Sequence, residues 1–461
     1  MGEIVLEKIV AAPAIALDKT IDASVSFTKS VGNVRSINAA GTYWNTLGPG
    51  LTTGAADDDP SGIATYSQQG AQYGYQLLWL AIFTFPLMAL VQEMCARIGI
   101  VTDRGLAANI RRHYPKWVLY SCSFLLLGAN TLNLGADIGV MAKAVQLLLP
   151  QVSFSFLVVA FTIIIAGLQI YTTYKVYAKY LKWLSLVLLA YIFSTLSIHG
   201  LDWGQIATHA VLPSLKISKE EIFLITAILG TTISPYLFFW QTSQECEEKL
   251  ERRKGKDAHI DASKTQHTAK HEIREMRIDV WSGMFISNLV MFFIVVATAA
   301  TLFSHGITNI NTAADAALAL RPIAGQYAFV LFAGGIVGAG LLAVPILAGS
   351  ASYALSESFG WKTSLSRKLK DAYAFYGVII IAMLIGLLIN FIGLDPIKVL
   401  IYSAVVNGFI APIILVLIVQ MSSNKKIMGA YANTFFAETM GWFITLVMVL
   451  SGAATIISLV I

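Results

Sequence analysis

Apolar runs long enough to cross a bilayer recur from about residue 43 to the end of the chain, separated by short polar segments. The pattern predicts eleven spanning helices, at approximately 43–68, 74–98, 117–149, 153–173, 179–199, 221–243, 279–304, 326–355, 372–393, 396–420 and 435–460. Two of them are interrupted at their middles by polar, Pro-containing stretches. The first break is Thr52-Thr53-Gly54-Ala55-Ala56-Asp57-Asp58-Asp59-Pro60-Ser61-Gly62, and the second is Gly230-Thr231-Thr232-Ile233-Ser234-Pro235-Tyr236. They fall at corresponding places in two halves. Backbone groups freed by a break are tolerated at membrane depth only where they line an enclosed or watery cavity, so such a pair points to a transporter's binding site. The carboxylates of the first break point to a cation.

Composition agrees with a membrane protein: 56% of the 461 residues are hydrophobic and 13% are charged. Placing the N-terminus in the cytoplasm leaves 27 of the 32 basic residues inside and four outside, Lys216, Lys219, Arg321 and Lys398. The remaining one, Lys143, lies near the outer end of the third span, where its stem can snorkel to the interface. An odd number of spans then leaves Ile461 outside. Residues 1–42 carry no long apolar region or small-residue cleavage site and read as a polar cytoplasmic arm, with residues 43–461 forming one transmembrane domain. Cys95, Cys122 and Cys246 show no metal-ligand spacing and read as buried hydrophobes.

The longest soluble stretch, 244–278, is rich in Glu, Lys and Arg and contains His259, His267 and His271. The last two are one helical turn apart, a spacing open to a transition metal, but a solvated charged loop accounts for them equally. The net charge of +5 is explained by the cytoplasmic loops, and no nucleic-acid module accompanies it. All seven histidines map to loops or span ends, which argues against a zinc-protease helix or an intramembrane histidine relay. With neither a sizeable extramembrane domain nor an intramembrane nucleophile and base, the chain is not expected to be an enzyme, and no cofactor is indicated.

What remains at depth is acidic: Asp57, Asp58, Asp59 and, in the third span, Asp137. Each costs about 2.5–3.5 kcal/mol at a helix centre on insertion scales, so three in a row are poorly explained by packing. Asp59-Pro60 and Ser234-Pro235 both have the form of an N-cap followed by Pro at N1, so each can simply start the second half of its broken helix. A capping carboxylate still has lone pairs for an ion, and the two roles are compatible.

These residues resemble the signature of the natural resistance-associated macrophage protein (NRAMP) divalent-metal transporters. That family interrupts its first helix at Asp-Pro-Gly-Asn, matched here by Asp59-Pro60-Ser61-Gly62, and its sixth at Met-Pro-His, matched by Ser234-Pro235-Tyr236. The tenth span with the following loop, Ser403 through Pro412 to Lys425-Lys426-Ile427-Met428-Gly429, is also similar, and the likeness covers about residues 44–461. It implies an all-α integral membrane protein of leucine-transporter type, with helices 1–5 (about 43–199) and 6–10 (about 221–420) as inverted repeats, broken helices 1 and 6, and an added helix at about 435–460.

Carried over position by position, the resemblance implies Asp59 and the backbone carbonyl of Thr231 as metal ligands. The other two side-chain ligands are lost: Gly62 replaces Asn and Ser234 replaces Met. A thioether favours transition metals, whereas hard oxygens and water suit Mg²⁺, which keeps several waters while touching one or two carboxylates. The sequence therefore resembles the NRAMP-related magnesium transporters more than the iron and manganese branch, with a site enlarged by the two losses. Thr231, Thr232, Ser61 and Tyr236 can hold the hydrated ion's waters or serve as ordinary helix-break hydrogen bonds.

Asp57 and Asp58 stand where the family has uncharged residues; in a vestibule they would concentrate cations, and in packed protein one would hold a proton. Where proton-coupled members carry Glu, Asp and Glu in the third helix and His in the sixth, this chain has Asn130, Asp137, Val140 and Tyr236. Asp137 can still accept a proton, or lie neutral and hydrogen-bonded to Asn130 on the same face two turns away. The leading expectation is a monomeric, uncoupled, potential-driven Mg²⁺ transporter that tolerates Mn²⁺. A proton-coupled Mn²⁺ and Fe²⁺ importer is the alternative, followed by an amino-acid or organic-cation transporter of the same fold.

Overall fold

A computed structural model describes residues 47–171, 189–216, 218–254, 265–310, 312–318 and 328–460. The chain divides at Gly48 into two units, and the second, Pro49–Ile461, holds the helices that follow. The described elements there are helical: α1 Pro49–Asp57, α2 Pro60–Tyr73, α3 Trp79–Thr102, α4 Lys116–Leu148, α5 Phe154–Tyr171, α6 Leu189–Leu196, α7 Lys219–Thr232, α8 Pro235–Lys254, α9 Thr265–Thr301, α10 Ala328–Phe359, α11 Tyr373–Ile389, α12 Pro396–Ser423 and α13 Phe435–Val460. Short helices at Leu106–His113, Trp203–Val211, Ala313–Leu318 and Lys425–Met428 link some of them. Among the described residues, eight segments are long and apolar enough to cross a membrane, with α7 and α8 taken as one, and α11 adds 17 apolar residues, the shortest length that spans.

Both expected breaks are present and both are narrow. Only Asp58 and Asp59 leave the helical path in the first, and Ile233 and Ser234 in the second. Thr52 and Thr53 are helical, and their hydroxyls turn back to the Pro49 carbonyl, at 3.0 and 2.7 Å.

α4 and α10 form the most extensive helix pair, and α9 packs along α1, α2 and α3. α7 lies against α12, so the two broken helices are held by different long helices. Small residues make the close approaches: a Cβ on Gly50 would stand 2.6 Å from the Val280 Cα, and one on Gly230 would stand 2.8 Å from the Gly408 Cα. α5 and α13 bury the smallest share of their surface and form the periphery, their exposed Phe, Ile and Leu side chains suited to lipid.

One expectation changes. The seventh helix begins at Thr265, not 279, and α8 runs on to Lys254, so most of the charged stretch 244–278 is helix extension rather than loop. Glu, Lys, Arg and Gln are good helix formers, and nothing in 265–278 breaks the propagation. His259 and the His267 side chain lie outside the described residues, and His271 faces Glu275 at 3.5 Å. The fifth span, expected at 179–199, is described over Leu189–Leu196, and the arm 1–42 lies outside the described residues. Lys143 sets its ammonium 4.8 Å from the centre of the Phe154 ring, a cation–π contact at the end of α4. All three cysteines are buried and unbridged.

Candidate functional site

Asp59 is extended (φ −66°, ψ 171°) between the halves of the first broken helix and caps the second half. Its Oδ1 accepts from the Gly62 amide and the Ser61 hydroxyl, each at 2.7 Å. Its Oδ2 accepts from Asn133 of α4 at 2.9 Å, with the Tyr236 hydroxyl of α8 at 3.5 Å. Asn133 is fixed in turn by the Ser403 hydroxyl of α12, 2.6 Å from its Oδ1. Donors from α2 and α4 thus converge on one buried carboxylate, with a hydroxyl of α8 beside it.

The second break is tied both to the first and to its own helix. Tyr236 donates to the Ala56 carbonyl at 2.7 Å, satisfying a carbonyl left open at the end of α1. Ser234 does not cap α8 by accepting an amide, as its place before Pro235 suggests. Its hydroxyl instead donates backward to the Gly230 and Thr231 carbonyls, at 2.8 and 2.6 Å. The Thr231 carbonyl therefore has one lone pair engaged and one remaining. Thr231 and Ser61 set their hydroxyls 3.3 Å apart across the two breaks, and Thr232 bonds the Ile228 carbonyl of its own helix. Of the polar residues proposed to hold waters, Thr232 is thus engaged within its helix, and Ser61, Thr231 and Tyr236 face Asp59 or one another.

The space expected from the loss of Asn at position 62 is filled. A Cβ on Gly62 would stand 2.9 Å from the Asp57 carbonyl and 3.3 Å from the Tyr66 ring. Two cavities, of about 500 and 570 Å³, are lined by other residues, one by Glu247, Tyr353 and Glu357 and the other by Gln68, Lys219 and Lys398. Asp57 and Asp58 are likewise packed rather than in an open vestibule: with Asp59 and Asp137 they are each at most 1% exposed. A two-residue break leaves their side chains among the helices.

Asp57 accepts one bond, from Ser287 of α9 at 2.9 Å, and its other oxygen, both oxygens of Asp58 and both of Asp137 have no hydrogen-bond partner. The expected bond between Asp137 and Asn130 is absent. Asn130 donates to the Leu347 carbonyl at 3.0 Å, and seven residues of helix separate the two side chains by about 10 Å. Tyr66, buried beside the aspartates, makes no hydrogen bond of good geometry, although Thr231 lies near its hydroxyl.

Among the described residues no Lys, Arg or His pairs with any of the four aspartates, and no three His, Cys, Asp or Glu side chains converge on one point. An ionised carboxylate out of water costs several kcal/mol unless it is countered, so the break attracts a cation and repels an anion. Asn133, Ser287, Tyr66 and Ser403 are the contributors that span-by-span reading does not single out. Asn133 had one legible signal: it lies one turn before Asp137 on the same helix face.

Residues 50–458 match the model of the Nramp family, described as natural resistance-associated macrophage protein-like. The divalent metal cation transporter MntH of Klebsiella pneumoniae is 28% identical over 418 residues, 87% of this chain and 91% of that one. Among solved structures, a manganese transporter of Eremococcus coleocola superposes with a TM-score of 0.73 at 18% identity, covering 89% of this chain and 86% of that one. The transporter Mhp1, in an inward-facing conformation, superposes with a TM-score of 0.51 at 13% identity over 89% and 90%. The fold is all-helical and of leucine-transporter type, and the chain belongs to the Nramp family.

Proposed function

We propose that this Nramp-family chain carries divalent metal cations across a membrane and prefers Mg²⁺, tolerating Mn²⁺. The relatives it matches along most of its length are named as transporters of divalent metal. The observation that carries the preference is the set of groups meeting Asp59: two hydroxyls, a backbone amide and a side-chain amide, with no thioether among them. Hard oxygen donors favour Mg²⁺ over the softer transition metals, and a single ligating carboxylate with water suits an ion that dehydrates reluctantly. Asp59 is the principal ligand in this reading, the Thr231 carbonyl the second, and Tyr236, Ser61 and Ser234 hold the ion's waters as the two breaks part.

Transport runs on the membrane potential, without an obligatory proton. The chain acts as a monomer with its N-terminus in the cytoplasm and its C-terminus outside, the repeats being about 43–199 and 221–420. A second reading, proton-coupled Mn²⁺ and Fe²⁺ import, is favoured by Asp137, whose carboxyl is buried, unpartnered and one turn from Asn133.

The test is uptake by the purified chain in liposomes, with Mg²⁺, Mn²⁺, Ca²⁺ and an organic cation compared side by side. Mg²⁺ uptake at least equal to Mn²⁺, with no organic-cation flux, is the expected result. Mn²⁺ uptake about tenfold or more above Mg²⁺ replaces the first reading with the second.

A further inference from the structure

Asp57 and Asp58 are not part of the Asp59 shell. Asp59 is met by α2, α4 and α8, whereas Asp57 turns to Ser287 of α9, and Ser287 faces Asp58 as well. The Tyr191 hydroxyl of α6, 6% exposed, has no hydrogen-bond partner and feels the charge of Asp58. The Tyr66 hydroxyl, unpartnered by the same geometry, feels the charge of Asp57 first and Asp58 next. Gly335 of α10 leaves the Tyr191 hydroxyl uncrowded, since a Cβ there would stand 3.5 Å away.

Three carboxylate oxygens and two tyrosine hydroxyls are thus buried without partners in one region, beside a serine hydroxyl, with no basic side chain paired to them among the described residues. All the donors are oxygens of the kind hard cations take. Because no three acidic groups share one point, a single ion cannot serve all three aspartates of the break.

We propose that Asp57 and Asp58, with the Tyr191 and Tyr66 hydroxyls and Ser287, form a second hard divalent-cation site, separate from the one at Asp59. One divalent ion balances the two carboxylates. Asp58 and Asp59 are consecutive residues of the break, so the two ions share a stretch of backbone and filling one biases the position of the other. The proposal rests on the Asp59 reading only for its part in transport.

Equilibrium dialysis of the purified full chain against Mg²⁺, with bound metal counted by mass spectrometry, tests it. The wild type is expected to bind two ions per chain, Asp57→Asn/Asp58→Asn one, and Asp59→Asn one, with the retained site serving as the control for folding. Tyr191→Phe should keep both sites and weaken one by about tenfold, an effect that Asp57→Asn/Asp58→Asn abolishes along with that site. A wild-type count of one that Asp57→Asn/Asp58→Asn leaves unchanged overturns the second site. So does release of the second ion by millimolar Na⁺ at unchanged Mg²⁺, which makes the site monovalent. Loss of neither ion in Asp59→Asn would count against the proposed transport site and leave the second site standing.

Discussion

Asn133 donates its side-chain amide to Asp59 at 2.9 Å across 74 residues of sequence, and so ties the third spanning helix to the break in the first. The same side chain accepts from Ser403, which makes it the joint between α2, α4 and α12. A group that orients a ligating carboxylate without touching the ion governs affinity through geometry, and its removal typically costs 10–100-fold.

Asn133→Ala is therefore expected to weaken Mg²⁺ affinity by about 10–100-fold while the protein remains folded. Ser403→Ala, which releases Asn133 and also frees the Leu400 carbonyl 2.7 Å away, should fall in the same direction by less. Titration of uptake against external Mg²⁺ for both variants checks the order, and a Ser403→Ala effect larger than that of Asn133→Ala would contradict it.

Selectivity is expected to respond to Ser234 more cleanly than to Gly62. Ser234→Met introduces a thioether and frees the Thr231 carbonyl from the hydroxyl now 2.6 Å away. A shift from Mg²⁺ toward Mn²⁺ by about tenfold requires about 1.4 kcal/mol of differential binding. Gly62→Asn must place a Cβ 2.9 Å from the Asp57 carbonyl, and overpacking of that kind costs about 1–3 kcal/mol. Competition uptake gives the ratio for the first variant and thermal unfolding gives the stability of the second. An unchanged ratio in an active Ser234→Met protein would refute the thioether argument.

The first half-helix is anchored by Asp279 of α9, whose two oxygens accept the Gly50 and Leu51 amides at 2.7 and 3.0 Å. These are amides that a helix N-terminus leaves open, and a carboxylate there is favoured by the helix dipole. Asp279→Ala should lower stability by about 1–2 kcal/mol, read as a lower unfolding temperature in detergent. An unfolding temperature equal to wild type would show that the cap is dispensable.

Uptake is expected to follow voltage rather than a proton gradient. Moving two charges through about 100 mV supplies roughly 4.6 kcal/mol, enough for a gradient of about three decades. A potassium-diffusion potential should drive Mg²⁺ into proteoliposomes without acidifying the lumen. Acidification that tracks Mg²⁺ entry and persists with the potential clamped to zero would make Asp137 the next residue to replace.

Much of this was legible before any coordinates. An apolar run that stops at Asp59-Pro60 and resumes is a helix break in any context, because Pro fits the first turn of a helix and the preceding residue avoids the helical region. The direction of the Ser234 hydroxyl is not legible in sequence, because it can accept or donate and only the position of the Gly230 and Thr231 carbonyls decides. The closure around Gly62 was hidden as well, since it depends on the Tyr66 ring and the Asp57 carbonyl turning into the space that a missing side chain leaves. Asn133 reaches Asp59 only through the packing of α4, and no local spacing encodes that contact.

The most direct test of the account is Mg²⁺ uptake by Asp59→Ala in proteoliposomes, beside wild type, with both proteins shown to be monodisperse and equally reconstituted. The account expects uptake indistinguishable from protein-free vesicles, because the carboxylate on which α2, α4 and α8 converge would be gone. Uptake by the folded variant within about twofold of wild type, a difference of only about 0.4 kcal/mol, would place the transported ion elsewhere.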